Sequence, residues 1–161
     1  MERESPVPRL SSPAIRPLDH LALTGRDHDP ALLLRDRVMT YEDLRARIAA
    51  ISGWLIARLP EKGARVATWA AKGELTCLIP LAAARAGLVH VPINPLLKRA
   101  QVAHILADSG AALLIGSPAR LATLEADDIT QGCQVLDEDA ALAEVATHGN
   151  SLGPSAADPD A

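Results

Sequence analysis

Short apolar segments alternate with longer helical segments over most of this 161-residue chain. From residue 65 onward the predicted order is strand, helix, strand, helix, strand, helix, and this alternation favours a parallel sheet covered by helices. The strands are continuously apolar, which is typical of strands covered on both faces. The sequence therefore predicts an α/β fold, a mostly parallel sheet with helices on both faces. The segments 66–69, 88–91 and 112–115 are expected to be neighbouring parallel strands of this sheet. The predicted strands are 65–71, 88–91, 112–115 and 135–136, and the helices between and after them are 75–85, 98–108, 119–125 and 137–147.

The clearest single element is a helix predicted from Thr40 to Leu59. Thr40 stands three residues before Asp43, the pattern of an N-cap with an acidic residue in the first turn. Pro60 and Gly63 end the helix. Its apolar residues are spaced four, three, four and four apart, which places them on one face: Leu44, Ile48, Ile51, Leu55 and Leu59. We expect this to be the longest regular element. Before it, the pattern predicts a short helix over 18–24 and a hairpin of strands 31–34 and 38–39.

The Leu- and Ala-rich helix 75–85 has almost no polar stripe. Pro80 lies inside it and is expected to kink the helix or to move its start closer to the proline. Gly87 stands in the position of a C-cap glycine. Because no polar face is visible, this helix is the candidate for an exposed apolar face, and we expect the isolated chain to self-associate through it.

Charge and composition exclude several classes of protein. The net charge is −4 and aromatic residues make up 2% of the chain, so neither a basic patch nor a base-stacking platform for nucleic acid is present. No run approaches 18 apolar residues, so no membrane span is expected. The first residues lack the apolar core of a secretory signal, and the expected location is cytoplasmic. Cys77 and Cys133 are predicted to be buried small hydrophobic residues.

The sequence carries no standard catalytic constellation, and no catalytic, cofactor-binding or metal residue is assigned. His90 interrupts a buried strand, and a structural role is favoured over a catalytic one; His104 is placed on a polar helix flank. The turn Gly116-Ser117-Pro118 could hold an anion, but an N-cap serine followed by proline at the first helical position is favoured. The acidic clusters 127–128 and 137–139 are interpreted as helix caps rather than metal ligands.

Two ordered motifs carry a resemblance to a known family. Met39-Thr40-Tyr41-Glu42-Asp43-Leu44 resembles the first core motif of the AMP-forming adenylating enzymes, which include acyl-CoA synthetases, peptide-synthetase adenylation domains and luciferases. The stretch from Ala84 to Pro95 (ARAGLVHVPINP) resembles their second core motif, at a matching distance along the chain. The segment 101–110 that follows also fits. The run 94–98 looks most like bacterial acyl-CoA ligases.

The resemblance implies that residues 17–148 are part of an AMP-binding domain, after a flexible lead-in over 1–16 and before a linker over 149–161. Such a ligase joins a carboxylic (acyl) substrate to ATP and passes the acyl group from AMP to a thiol. It implies ATP, Mg²⁺ and CoA for the full-length enzyme. The family's phosphate-binding loop and catalytic lysine have no counterpart in these 161 residues, so we expect the chain alone to be inactive and to bind none of these groups tightly.

Two other hypotheses stay open at this stage. The chain could be a non-catalytic α/β binding or interaction module, or the remnant of a truncated gene. The forty codons after Ala161 would separate the ligase hypothesis from these two, since a Ser/Thr/Gly-rich loop with a lysine there indicates an enzyme and a stop codon favours the other two.

Overall fold

Two separate sheets are present in the computed structural model, which describes residues 16–156. The smaller is an antiparallel hairpin of two strands, and the larger is a parallel sheet of four. The strands are β1 (Pro30–Leu33), β2 (Val38–Thr40), β3 (Arg65–Trp69), β4 (Val89–Pro92), β5 (Leu113–Gly116) and β6 (Gln134–Asp137). The helices are α1 (Tyr41–Arg58), α2 (Glu74–Arg85), α3 (Arg99–Ser109), α4 (Pro118–Leu121) and α5 (Glu138–His148), with 3₁₀ helices at Leu18–Leu23 and Ala126–Asp128.

The large sheet has the strand order β4-β3-β5-β6, and every neighbouring pair is parallel. Val66 in β3 pairs with His90 on one side and with Leu113 on the other. The three strands predicted to be parallel neighbours are therefore parallel neighbours, and the predicted α/β fold is confirmed.

Helix α1 begins where the capping pattern predicts. The Thr40 hydroxyl accepts a hydrogen bond of 3.2 Å from the Asp43 amide, and the Asp43 carboxylate accepts one of 3.1 Å from the Thr40 amide. This reciprocal pair satisfies two of the amides that a helix start leaves free. With 18 residues, α1 is the longest element of the described chain, and Ile48, Ile51 and Leu55 on its inner face are fully buried.

Helices cover both faces of the parallel sheet. Helices α1, α2 and α5 form one hydrophobic core with Val66, Leu113 and Ile115. Helix α3 forms the other core with Ala67 and Leu114. Consecutive strand residues thus belong to opposite cores, as the two-residue period of a strand requires.

The structure of α2 decides between two alternatives and corrects one expectation. The helix runs without interruption from Glu74 to Arg85 with Pro80 inside it, so its start does not lie closer to the proline, and a kink at Pro80 stays a prediction. Most of its residues are buried, because it packs against α1, β4 and the first 3₁₀ helix. The expectation that it presents an exposed apolar face is wrong. Gly87 ends it with φ +70°, in the left-handed region typical of this position.

Three smaller expectations are also corrected. The predicted helix 18–24 is a 3₁₀ helix, and the predicted helix 119–125 is only the four-residue α4. Cys77 is exposed and Cys133 is partly exposed, so neither is the buried residue that was predicted. Cys77 occupies the one position of α2 that faces solvent.

Among residues 16–156, no helix combines the length and the apolarity needed to cross a membrane. The lead-in predicted over 1–16 lies almost wholly outside the described residues.

Candidate functional site

A cleft of ≈ 600 Å³ lies at the carboxyl ends of the parallel strands. Trp69, the last residue of β3, lines the cleft. Lys98 and Arg99, from the loop after β4 and the start of α3, also line it. Arg120 lines it from α4, directly after β5. The carboxyl edge of a parallel sheet is where α/β proteins bind ligands, because the loops after neighbouring strands converge there.

Arg120 joins two of the loops that form this cleft. Its Nε donates to the Pro95 carbonyl oxygen at 3.1 Å, and its Nη1 donates to the Ser117 hydroxyl at 2.9 Å. Within residues 16–156 no carboxylate lies within ion-pair distance of Arg120. The Glu138 carboxylate interacts with the charge of Arg120 from beyond ion-pair distance. Burial, and after it the negative charge of Asp139, raises the pKa of the Glu138 carboxyl group.

In the turn Gly116-Ser117-Pro118, the residues occupy the positions of the favoured interpretation, but the expected capping hydrogen bond is absent. Ser117 is the N-cap residue of α4 and Pro118 is at the first helical position. The Ser117 hydroxyl makes no capping hydrogen bond and accepts from Arg120 instead. The Ser117 amide donates to the Trp69 carbonyl oxygen at 3.3 Å, so that amide is not free to hold an anion.

Arg99 is neutralised by two carboxylates. Its Nε donates to Asp128 at 2.5 Å, and its Nη1 pairs with Glu125. The Glu125 amide also donates to the Asp128 carboxylate at 2.7 Å, and this bond, together with Arg99, lowers the pKa of Asp128. Asp128 therefore caps the 3₁₀ helix Ala126–Asp128, as interpreted for the cluster 127–128. Asp137 likewise caps α5, because its side chain accepts from the Ala140 amide at 2.8 Å.

The remaining lining makes the cleft amphipathic. Leu96 and Leu97 form an apolar part of the wall. Lys98 is exposed and has no ion-pair partner among residues 16–156. The indole N–H of Trp69 is buried without a hydrogen-bond partner in the same part of the chain. Two cations without a carboxylate in ion-pair range, beside apolar surface, suit a ligand with both an anionic and an apolar part.

His90 does not belong to this cleft. It lies on β4, where its Nε2 shares a hydrogen bond of 2.8 Å with the Thr68 hydroxyl. Burial lowers the pKa of His90 to about 4, so the ring is neutral at pH 7. These contacts agree with the structural role favoured from the sequence. His104 is exposed on α3, on the polar flank where it was predicted.

The described side chains form no cluster of three metal-ligating groups. Within residues 16–156, no three His, Cys, Asp or Glu side chains converge in a way that could hold a metal ion. None of the described residues is therefore assigned to Mg²⁺.

A family model described as "AMP-binding enzyme" matches residues 18–160, nearly the whole chain. The chain belongs to this family. Among curated relatives, it is 33% identical over 105 residues to L-proline--[L-prolyl-carrier protein] ligase of Pseudomonas fluorescens, over 65% of this chain and 21% of that ligase. It is 35% identical over 109 residues to fatty acid--[acyl-carrier-protein] ligase ScoC of Streptomyces coeruleorubidus, over 66% of this chain and 21% of that ligase. The chain thus spans about a fifth of the length of these relatives.

Solved structures of AMP-binding enzymes have the same fold. A benzoate CoA ligase from Burkholderia xenovorans superposes with a TM-score of 0.74 at 23% identity, over 88% of this chain and 29% of that one. ATP-bound MatB from Rhodopseudomonas palustris gives a TM-score of 0.71 at 23% identity, over 89% and 30%. The N-terminal subdomain of Klebsiella oxytoca NpsA gives 0.70 at 19% identity, over 87% and 34%. The fold is that of the N-terminal subdomain of acyl-CoA synthetase-like enzymes, as the two core motifs implied.

The cleft residues were not singled out from the sequence. Lys98, Arg99 and Arg120 each follow a predicted strand by a few residues, and this shared position is the signal that could have found them. Trp69 lies within the predicted strand 65–71, and the structure ends that strand at Trp69.

Proposed function

We propose that this protein is part of an AMP-forming ligase that activates a carboxylate with ATP to an acyl-adenylate and then forms a thioester. Membership of the AMP-binding enzyme family carries the proposal. It is supported by the two curated relatives, which are ligases that join a carboxylate to a carrier protein, and by the ATP-bound structural neighbour. The acceptor thiol is proposed to be CoA, with a carrier protein as the alternative that the experiment below separates.

The cleft is proposed to hold a phosphate-bearing substrate of this reaction. Lys98 and Arg120 supply positive charge without carboxylate partners, and Leu96 and Leu97 supply apolar surface against which a purine or a pantetheine arm could lie. The role is binding and orientation alone. No proton transfer or nucleophilic step is assigned to any side chain in residues 16–156.

The 161-residue chain by itself is proposed to be inactive. Stabilisation of a pentavalent phosphorus requires several cationic groups or a metal ion around the phosphates. Among residues 16–156, the cleft contributes two cations without an ion-pair partner, and no cluster of three metal-ligating side chains is present. Without that stabilisation, binding lowers the free energies of the ground state and of the transition state equally and does not accelerate the chemical step.

The test compares ATP–pyrophosphate exchange by the chain alone with exchange by a chimera. In the chimera, residues 18–156 replace the matching part of the Burkholderia benzoate CoA ligase, and the parent ligase is the positive control. We expect no exchange above background from the chain alone, and carboxylate-dependent exchange from the chimera. A folded chimera without exchange would contradict the proposed function, and exchange by the chain alone would contradict its inactivity. Thioester formation with CoA or with carrier protein, measured on the active chimera, then identifies the acceptor.

The binding role of the cleft is tested on the same chimera with Arg120→Met and Lys98→Met, and with Arg65→Met as the matched control at the far end of β3. We expect about a tenfold rise in KM for a phosphate-bearing substrate from each cleft variant, as loss of one charged contact implies. The control should leave that KM unchanged. Equal effects of all three variants would refute the assignment of the cleft.

A further inference from the structure

The backbone of residues 150–156, called here the docked segment, is tied to three different elements although it has no regular secondary structure. The Leu152 amide donates to the Ala49 carbonyl oxygen of α1 at 3.0 Å. The Leu152 carbonyl oxygen accepts from Arg85 Nη1 of α2 at 3.3 Å. These bonds hold both polar backbone groups of Leu152.

The first 3₁₀ helix holds the next part of the docked segment. The Ser155 amide donates to the Asp19 carboxylate at 3.0 Å. The Ser155 carbonyl oxygen accepts from His20 Nε2 at 2.8 Å. The docked segment is therefore fixed through its backbone, since Leu152 is the only large apolar side chain in it and is only partly buried.

Asp19 and Arg85, which make two of these contacts, are themselves a buried ion pair. Their side chains are 0% and 2% exposed, and Arg85 Nε donates to Asp19 Oδ2 at 3.0 Å. Asp19 Oδ1 and Arg85 Nη2 have no hydrogen-bond partner among residues 16–156. A buried pair that is not fully hydrogen-bonded contributes little to stability compared with apolar residues of similar size. Its burial therefore needs another reason than core stability.

The docked segment also packs closely against α1 at Gly53. A Cβ placed on Gly53 would lie 2.5 Å from the Asn150 carbonyl oxygen and 2.7 Å from the Asn150 carbonyl carbon. Both are backbone atoms, so only glycine at this position allows the segment to approach α1. This contact is independent of the Asp19–Arg85 pair.

We propose that the buried Asp19–Arg85 pair is a positioning device that clamps the docked segment and thereby sets where and in which direction the chain passes residue 156. The carboxylate holds the Ser155 amide, the guanidinium holds the Leu152 carbonyl oxygen, and the ion pair fixes the two anchors relative to each other. Gly53 allows the backbone to reach them. This inference concerns the chain itself and does not depend on the proposed ligase activity.

Amide hydrogen exchange on the 161-residue chain tests the proposal. The double variant Asp19→Leu/Arg85→Met removes both anchors without leaving one buried charge unpaired. We expect the amides of Leu152 and Ser155 to exchange at least about tenfold faster. The Ser155 amide loses its acceptor on Asp19, and the Leu152 amide loses the Arg85 contact to its own carbonyl oxygen that aligns it with Ala49. Amides in the centre of the sheet, such as that of Leu114, should keep their rates. Asp27→Asn, which breaks the exposed pair of Asp27 with Arg45, is the control and should change neither group.

Gly53→Ala perturbs the contact of the docked segment with α1 and leaves the Asp19–Arg85 ion pair intact. It should accelerate exchange at Leu152 while the sheet amides keep their rates. If the double variant does not fold, Gly53→Ala and Arg85→Lys decide, because lysine keeps the charge beside Asp19 but lacks the forked donors needed to reach Leu152 as well. Wild-type rates at Leu152 and Ser155 in the folded variants would overturn the proposal. Equal acceleration at these amides and in the sheet would also overturn it, because it would show a general loss of stability instead of a local clamp.

Discussion

Replacing Leu55 by alanine tests the packing on which the whole architecture depends. Leu55 is fully buried on the inner face of α1, within the core that also contains Val66 and Leu113 of the sheet. The substitution removes three carbons, worth about 2.4 kcal/mol in transfer free energy at about 0.8 kcal/mol per carbon. Incomplete collapse of the surrounding side chains adds a cavity cost, which brings the expected loss to about 3–5 kcal/mol of unfolding free energy.

Ile56 provides the matched control, because it is the next residue of the same helix and its exposed fraction is 41%. Ile56→Ala changes helix propensity in the favourable direction and removes less buried surface than Leu55→Ala, so we expect a loss below about 2 kcal/mol. Urea titration of the two variants and the wild type at low protein concentration gives the comparison. A loss for Leu55→Ala below about 1 kcal/mol, or no larger than that of Ile56→Ala, would refute the packing of α1 described above.

Three further predictions follow from other parts of the fold. Because burial lowers the pKa of His90 from 6.5 to about 4, the unfolded chain binds the proton more readily, so stability should fall as pH drops from 6.5 toward 4; His90→Gln should flatten that part of a stability–pH curve, and an unchanged slope would contradict the assignment. Gly116→Ala should lower the unfolding free energy by about 1–3 kcal/mol, since its Cβ would lie 2.7 Å from Leu121 Cδ2; thermal unfolding checks this, and a variant as stable as wild type would contradict it. The chain should self-associate in sedimentation velocity, now through Leu18 and Leu21, which are 56% and 61% exposed, instead of through α2; Leu18→Ser/Leu21→Ser should restore a monomer, and a clean wild-type monomer near 17 kDa would contradict the expectation.

The parallel sheet and α1 were predictable because their signals are local and repeated. Each strand is an apolar run bounded by turn residues, and α1 has both a capping pair and a regular apolar spacing. The same reasoning gave the wrong environment for α2. A helix without a polar stripe is either exposed in an isolated fragment or buried on several sides, and periodicity alone does not distinguish the two. The additional layer that buries α2 comes from the first 3₁₀ helix, whose contacts with α2 join residues about sixty positions apart.

The cleft could not be assembled from the sequence for a related reason. Trp69, Lys98 and Arg120 are separated by some 20 to 30 residues and meet only because β4, β3 and β5 are neighbours in that order. The three strands were predicted to be parallel neighbours but not in which order, so the prediction did not place β3 between β4 and β5 and did not show which side chains of the loops meet. The turn at Ser117 shows the limit in finer detail, since its N-cap position was predicted correctly while its hydroxyl is used by Arg120 from the following turn.

The docked segment shows how a polar stretch can pack against helices through its backbone groups. Its low hydrophobicity predicts a linker, because sequence patterns register side chains, whereas this segment is held by backbone groups that every residue has. The informative residues lie elsewhere in the chain. Arg85 is a buried charge at the end of a mostly apolar helix, and a buried charge requires a partner of opposite charge and further hydrogen bonds. Asp19 supplies the charge, and the backbone of residues 152–155 supplies the hydrogen-bonding groups that neither partner obtains from the helices. In this chain, the buried charge of Arg85 at the end of a mostly apolar helix is therefore the sequence feature that points to the packing of a distant polar segment.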